Sequence, residues 1–449
     1  MQKELKRILI ANRGEIALRA IRTIKEMGKS SIIVYSTADK DAHYLDLADT
    51  KICIGSERSS DSYLNVSAIM SAAELLDADA IFPGYGFLSE NENFVEICNH
   101  HEIEFIGPSP EVMQLMSDKS KAKSVMQNAG FPVIRGSDGA LKNADEAKKL
   151  AEKIGYPVII KAAAGGGGRG MRVVENREHF KNHFLAAESE ALAAFGDGRI
   201  YMEKFIRNPK HIEVQILADK HGNVIHVGER DCSIQRRQQK LIEESPAVIL
   251  SEKTRQKLLK VAVDAAKHIG YVGAGTFEFL LDENREDFYF MEMNTRLQVE
   301  HTVSEMVSGL DLIEWMIRIA QGEKLPPQEE ITFNGHSIEC RITAEDPVKF
   351  YPSCGKITRY IAPGGSHVRL DSHAYAGYEV PMFYDSMIGK LIIWGRNRDE
   401  AIKRTKRALD EFLIDGIKTT IPFHKKMMNN PDFLKSIIHT KYLEQNLQN

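Results

Sequence analysis

The run IIKAAAGGGGRGMRV, residues 159–173, places the strongest single constraint on the fold. Its spacing Gly165-x-Gly167-x-x-Gly170 matches the fingerprint of a dinucleotide fold, which must open a helix whose N-terminus receives a pyrophosphate. No helix pattern follows. Met-Arg-Val-Val-Glu at 171–175 favours strand, so the glycines join two strands of a hairpin. Lys161 ends the preceding strand and Arg169 stands inside the run. Backbone without side chains approaches a ligand closely, and flanking cations suit an anion. The expectation is a mobile flap over a polyphosphate, in preference to a dinucleotide site or a plain surface loop.

At 449 residues the chain exceeds one ordinary core, and three domains are expected. A formal net charge of -4 with 27% charged residues lacks the basic excess of a nucleic-acid binder. Cys53, Cys98, Cys232, Cys340 and Cys354 are scattered, with no spacing for zinc or a disulfide framework. The N-terminal apolar run spans only Ile8 to Ala11, too short for a signal peptide, and no later stretch approaches a membrane span. A cytoplasmic protein with reduced thiols and no membrane contact is expected.

The fold class reads as α/β. Residues 8–11 form a buried strand, Ile16 to Met27 a helix ending at Gly28, and Ile32 to Tyr35 a second strand, a βαβ unit. Further strands at Ala80–Phe82 and Glu104–Ile106 complete an open, doubly wound parallel sheet over residues 1–117. The loops Asn12–Glu15 and Tyr85–Glu90 follow its strands, where ligands gather in such sheets. A middle domain, 118–332, contains helices at 119–129 and 144–154 and strands at 158–161 and 199–206, with a lid over 133–205. His211, Glu213 and Gln215 then alternate with Ile212, Val214 and Ile216, giving one polar and one buried strand face. A helix over 253–269 buries a stripe including Leu258, Leu259 and Ala262. The last domain, 333–449, is mixed α+β, with strands Ser337–Ile342 and Ser386–Trp394 and a helix at 399–413.

GTFEFLL (275–281) and FYFMEMN (288–294) read as a strand pair joined by DENRED. Glu278 and Glu292 each interrupt an apolar strand, which is costly unless the carboxylate is paired or metal-bound. Asn294 shares the parity of Glu292, and a register opposing Glu278 to them is available. Oxygen ligands of this kind favour Mg²⁺ or Mn²⁺ shared with phosphate. Directly after come Arg296, Gln298, Glu300 and His301 in NTRLQVEH, a cation to hold an anion and a carboxylate to act as base, or else a solvated helix start. The dense charge of ERDCSIQRRQQKLIEES, 229–245, is expected to be mostly a solvated face.

Together ILIANRGEIALR, PGYGFLSEN, MSDKSKAK, KAAAGGGGRGMR, MEKFI, RDCSIQRRQQK, GAGTFEF, MEMNTRLQVEH, ECRITAEDP and YDSMIGKL resemble biotin carboxylase, of the ATP-grasp superfamily, over essentially the whole chain. The resemblance implies an N-terminal doubly wound domain, an ATP-grasp domain with its lid and a C-terminal mixed domain. It implies that Lys119, Lys161 and His211 contact ATP, that Gly165, Gly166, Gly167 and Gly168 close over its phosphates, and that Glu203 and Lys204 flank the adenine. Gln235 and Leu280 join the same nucleotide site, and Glu278, Glu292 and Asn294 the metal. Bicarbonate is implied beside Arg296, Lys240, Gln298 and the backbone of Val299, with Glu300 as base. Carboxyphosphate then yields CO₂ and phosphate. Phosphate takes the N1 proton of biotin, Arg341 stabilises the enolate, and Tyr85 is a candidate biotin contact.

Gln238, Thr302 and Thr343 depart from the family's usual histidine, proline and asparagine. A Met-Lys-Met biotinylation motif is missing, so the chain resembles a free-standing subunit served by a separate biotin carboxyl carrier protein and carboxyltransferase subunits, and forming a homodimer. Acetyl-CoA is the expected final acceptor, with pyruvate or propionyl-CoA as alternatives. Another ATP-grasp ligase would share the lid and metal residues, and a catalytically silent ATP-binding subunit would have no need of Glu300, Arg296 and Arg341.

Overall fold

The computed structural model describes residues 4–137, 139–162, 171–195 and 197–446. Strands β1 (Arg7–Ile10), β2 (Ser30–Ser36), β3 (Thr50–Gly55), β4 (Ala80–Phe82) and β5 (Glu104–Phe105) form a parallel sheet in the order β3-β2-β1-β4-β5. The chain winds outward from β1 in one direction and returns to wind in the other, so a crevice opens past the carboxyl ends of β1 and β4. Helix α1 (Gly14–Glu26) follows β1, buries Ile16, Ala20, Ile21 and Ile24 against the sheet, and stops where Gly28 takes a φ of +69°. Both crevice loops are tied together by Asn12, whose Nδ2 donates to the carbonyls of Pro83 and Tyr85 at 2.8 Å each.

A small unit follows: β6 (Val158–Ala162), β7 (Met171–Val174) and β8 (Ile200–Lys204) pair antiparallel in the order β7-β6-β8. Helices Ala144–Ile154 and Phe180–Phe195 belong to the same unit, whose core includes Val158, Ile160, Phe180 and Phe184. β6 and β7 are the hairpin expected on either side of the glycine run, with Lys161 opposite Met171.

The rest of the molecule is organised on one antiparallel sheet of eight strands. β9 (Lys210–Ala218), β10 (Val224–Arg236), β11 (Gln239–Ser245), β12 (Gly273–Leu281) and β13 (Phe288–Asn294) are joined by β14 (His336–Thr343), β15 (Val368–Ser372) and β16 (Met387–Gly395) in the order β13-β12-β9-β10-β11-β14-β16-β15. The helix Glu252–His268 packs its Leu258, Leu259, Ala262 and Ala266 stripe against β9 and β10. Position 333 therefore falls between strands of a single sheet, because β11 and β14 pair directly, Ile242 opposite Cys340 and Glu244 opposite Ile338. Among the described residues no helix is long and apolar enough to cross a membrane.

That junction is held by charge as well as by the ladder. Glu244 accepts from His336 at 2.9 Å and from Arg398 at 2.6 Å, inside the protein. Burial alone would raise its carboxyl, but the His336 hydrogen bond and the Arg398 charge hold it at about 2. A carboxylate with a lowered folded-state pKa contributes stability above its unfolded value and loses it as pH falls through the folded one. We expect wild-type protein to exceed Glu244→Gln in stability by on the order of 3 kcal/mol near neutral pH. That margin should shrink as pH drops from about 4.5 toward 2, as read by denaturant titration of both proteins.

Candidate functional site

The polar face of β9 faces inward. His211, Glu213 and Gln215 are all buried, and across the ladder Glu213 pairs with both Glu278 and Arg230. Four charged or titratable groups thus meet in the middle of a sheet. Lys240 settles the balance: its Nζ donates to Glu213, to Glu278 Oε1 at 2.9 Å and to Glu300 Oε1 at 2.7 Å. Arg230, wholly buried, grips Glu213 Oε2 at 3.0 Å and reaches Gln215 at 2.8 Å and Gln298 at 2.9 Å. His211 Nε2 lies 2.9 Å from Glu278 Oε2 and 3.2 Å from Glu213. Burial pushes its imidazole down, and the Glu278 and Glu213 carboxylates more than reverse this, to about 9. The stretch 229–245, expected as a solvated face, is instead two central strands. Pairing with carboxylates of neighbouring strands makes the burial of Arg230 and Lys240 tolerable.

The two strand carboxylates expected to meet do so in register, Glu278 directly opposite Glu292, with Thr276 opposite Asn294. Glu278 also collects Asn294 Nδ2 at 2.8 Å and Gln298 Nε2 at 2.7 Å, and its carboxyl lies well below the usual range: burial opposes this, while Lys240 and His211 enforce it. An ionised carboxylate facing a second across a ladder, with an amide oxygen two residues on, offers the hard oxygen donors that a divalent ion such as Mg²⁺ takes. The donors therefore fit such an ion. Among the described residues, tight groupings of possible ligands are His211, Glu213 and Glu278, and Glu213, Cys232 and Glu300. Arg296 donates to Asn294 Oδ1 at 3.0 Å and to Glu90 Oε2 at 2.8 Å, so a residue from the first sheet's crevice holds it in place.

Glu300 stands at the N-cap position of the helix His301–Ser308 without capping it, buried, with its two oxygens divided between two cations. Oε1 accepts from Lys240 and Oε2 from Arg341 Nη2 at 2.9 Å. Burial would raise its carboxyl, but Lys240 and then Arg341 and Arg230 outweigh burial and the repulsion of Glu213, keeping it low and ionised at neutral pH. Arg341 in turn donates from Nε to Glu243 at 2.6 Å. It lines a cavity of about 440 Å³ that also contains Asn12, Glu15, Tyr85 and Val299, so the expected enolate stabiliser and biotin contact open into one space.

Behind that cavity lies a node that sequence reasoning missed. Lys390 on β16 is fully buried, donates to the Val299 carbonyl at 2.9 Å and lies 3.2 Å from Glu15 Oε1 of α1. Tyr85 donates its hydroxyl to the same Glu15 oxygen. Burial pushes the Glu15 carboxyl up to about 7 against the pull of Lys390. One ammonium thus fixes residues from three parts of the chain. The signal was present: Lys390 interrupts the apolar run MIGKLIIW just as Glu278 interrupts its own strand.

Among the residues expected to meet the nucleotide, Lys161 donates to Glu203 Oε2 at 2.6 Å, and Lys123, another unanticipated residue, donates to Oε1 at 2.8 Å. Lys204 donates to the Gly155 and Tyr156 carbonyls at 3.0 and 2.9 Å. Gln235 faces Lys240 across the β10–β11 hairpin, and Leu280 faces His211. Gly165, Gly166, Gly167 and Gly168 lie outside the described residues, as does the side chain of Lys119. Of the three departures, the Thr302 hydroxyl donates to the buried Glu339, Thr343 meets Thr420 at 3.4 Å, and Gln238 sits exposed in the hairpin turn at a φ of +68°.

Comparison with known proteins gives three matching family models: "Biotin carboxylase, N-terminal domain" over residues 4–113, "Carbamoyl-phosphate synthase L chain, ATP binding domain" over 118–328, and "Biotin carboxylase C-terminal domain" over 339–445. A biotin carboxylase of Nostoc sp. is 56% identical, covering 98% of this chain and 98% of its own. A Campylobacter jejuni biotin carboxylase, solved as a β-γ-ATP complex, is 68% identical with a TM-score of 0.91, covering 99% of each chain. The biotin carboxylase domain dimer of the Hydrogenobacter thermophilus 2-oxoglutarate carboxylase, solved with MgADP, ADP and bicarbonate, is 49% identical with a TM-score of 0.87, covering 99% of this chain and 98% of that one.

Removing one member of a buried ion pair strands the other. We expect Lys390→Met to lose about 3–5 kcal/mol of stability, and the double variant Lys390→Met, Glu15→Gln to recover a substantial part of it. A denaturant-melt double-mutant cycle reads the coupling, and additive losses would show that the pair is not a coupled unit.

Proposed function

Because the chain belongs to the biotin carboxylase family, ATP-grasp ligases that carboxylate biotin with bicarbonate, we propose that Glu300, gripped between Lys240 and Arg341, is the base of that reaction. The observation that carries this reading is the division of one buried, ionised carboxylate between two cations, one in the charge network of the nucleotide side and one lining the cavity.

The substrates are ATP, bicarbonate and biotin, with Mg²⁺. Lys161, His211 and Lys119 would contact the nucleotide, with the glycine flap, Gly165 to Gly168, over its phosphates and Glu203, Lys204, Gln235 and Leu280 completing the site. Glu278, Glu292 and Asn294 would hold a divalent ion, which neutralises phosphate charge when bound. Bicarbonate would lie between Arg296, Lys240, Gln298 and the Val299 backbone, drawn by positive charge that is already fixed in place. Glu300 removes the bicarbonate proton as an oxygen attacks the γ-phosphorus, releasing ADP and forming carboxyphosphate. Its breakdown gives CO₂ and phosphate, and phosphate accepts the biotin N1 proton. The Arg341 guanidinium stabilises the enolate, and the new C–N bond forms to CO₂. As Glu300 becomes protonated its hold on Arg341 weakens, which frees a guanidinium edge for the ureido oxygen when it is needed. Tyr85, held by Glu15, lines the biotin side. Enclosure by the flap keeps water from carboxyphosphate.

We further propose a cytoplasmic homodimer that works on biotin carried by a separate carrier protein and passes the carboxyl group to separate transferase subunits, with acetyl-CoA as the final acceptor. The full-length likeness to the Nostoc sp. biotin carboxylase supports separate carrier and transferase polypeptides, and the Hydrogenobacter thermophilus domain dimer supports the homodimer.

ADP release by the purified protein with Mg²⁺ and ATP should require bicarbonate and rise with free biotin, and turnover indifferent to bicarbonate would overturn the reading. Glu300→Gln should abolish the bicarbonate-dependent activity. Arg341→Ala should still cleave ATP but yield little carboxybiotin. Loss of one preorganised contact costs ~3–4 kcal/mol, roughly a hundred- to thousandfold in the carboxylation rate. Tight coupling of ADP release to carboxybiotin in that variant would remove Arg341 from its role.

A further inference from the structure

Three large apolar residues stand exposed near the mouth of the Arg341 cavity. Val348 is 78% exposed, Met382 76% and Tyr351 68%. The segments that bear them lie side by side. Ala344 donates its backbone N–H to the Ser386 carbonyl at 2.8 Å, Glu345 bridges Pro352, and Cys354 Sγ lies 3.9 Å from the Pro381 carbonyl. Arg236 at the end of β10 stacks on the Phe350 ring at 4.7 Å, which brings the β10–β11 hairpin tip to the same place. Phe383, next to Met382, and Gln239, beside the hairpin tip, both line the cavity. The three residues therefore form a lip continuous with the cavity mouth, and Arg237 and Lys349, both exposed, stand at its edge. Single exposed hydrophobic residues are ordinary, but large ones grouped on adjoining segments at a cavity mouth mark an interaction surface.

We propose that the lip formed by Val348, Tyr351 and Met382 is the docking surface for the biotin-bearing carrier protein, which meets it with an apolar face flanked by carboxylates while its biotinyl-lysine enters the cavity. The inference rests on the reaction reading above. Continuity with the cavity selects this occupant, because a tethered biotin reaches Arg341 only if the domain that carries it stops at this mouth. Arg237 and Lys349 at the hairpin end, away from the exposed Asp385 on the Met382 segment, select carboxylates on the part of the partner that meets that end and would speed encounter. The patch is small, which suits a partner that must leave again for a transferase.

The test uses the whole enzyme and the double variant Val348→Asp, Met382→Asp, neither residue lining the cavity. ADP release is measured with free biotin and, separately, with the biotinylated carrier protein of the source organism. We expect kcat/KM for the carrier to fall about tenfold or more while turnover of free biotin stays within about twofold. Unchanged kcat/KM for the carrier would overturn the proposal. So would equal losses on both substrates, since the lip would then act through the cavity, and so would a change in subunit stoichiometry by sedimentation, which would make the lip a contact between copies. A wild-type enzyme that responds to neither form of biotin would instead overturn the reaction reading, and the dock with it.

Discussion

The ammonium of Lys240 among the carboxylates of Glu213, Glu278 and Glu300 is the interaction on which the rest of the site depends. Three buried anions around one cation would be prohibitive without further donors, and Arg230, His211, Asn294 and Gln298 are where that requirement is met. These residues come from β9, β10, β11, β12, β13 and the loop before the helix at His301, so the strand order is what makes the charge balance possible. With its charges already paired in the protein, the site needs little reorganisation when anionic substrates displace one set of partners for another.

A second tension sits next to it. Glu243 on β11 lies directly opposite Glu339 on β14, and two like charges in that position oppose each other. Burial pushes both carboxyls up, Arg341 takes one oxygen of Glu243, and the Thr302 hydroxyl donates to Glu339. The threonine that departs from the family's usual proline thus supplies a donor where proline has none. Arg341 is placed between Glu243 and Glu300 by this arrangement, which fixes the direction in which its guanidinium faces the cavity.

Much of this was legible from residue pattern. The alternation around His211, Glu213 and Gln215 gave the inward face of β9, and the two glutamates in apolar runs gave the hairpin at Glu278 and Glu292. The glycine run read as a strand connection, as the pairing of β6 with β7 bears out. What could not be read was pairing between strands far apart in the chain. Glu213 meets Glu278 only through the β9–β12 register, Arg296 meets Glu90 from another domain, and Glu203 joins Lys123 across 80 residues. The 229–245 run was misjudged because charge density alone cannot tell a solvated strand from one whose partners bring the opposite sign. Lys390 was overlooked although the rule that selected Glu278 applied to it equally.

The continuity of the eight-stranded sheet across position 333 has an evolutionary consequence. Recombination between relatives at the end of the first parallel sheet would exchange a unit with a sheet of its own. A crossover between β11 and β14 would cut a ladder in which Glu243 must face Glu339 and Glu244 must find His336. Each half would need a counterpart that had drifted alongside it, or would present a bare strand edge. An exchange at that border is therefore costly, and changes along it should appear in compensating pairs.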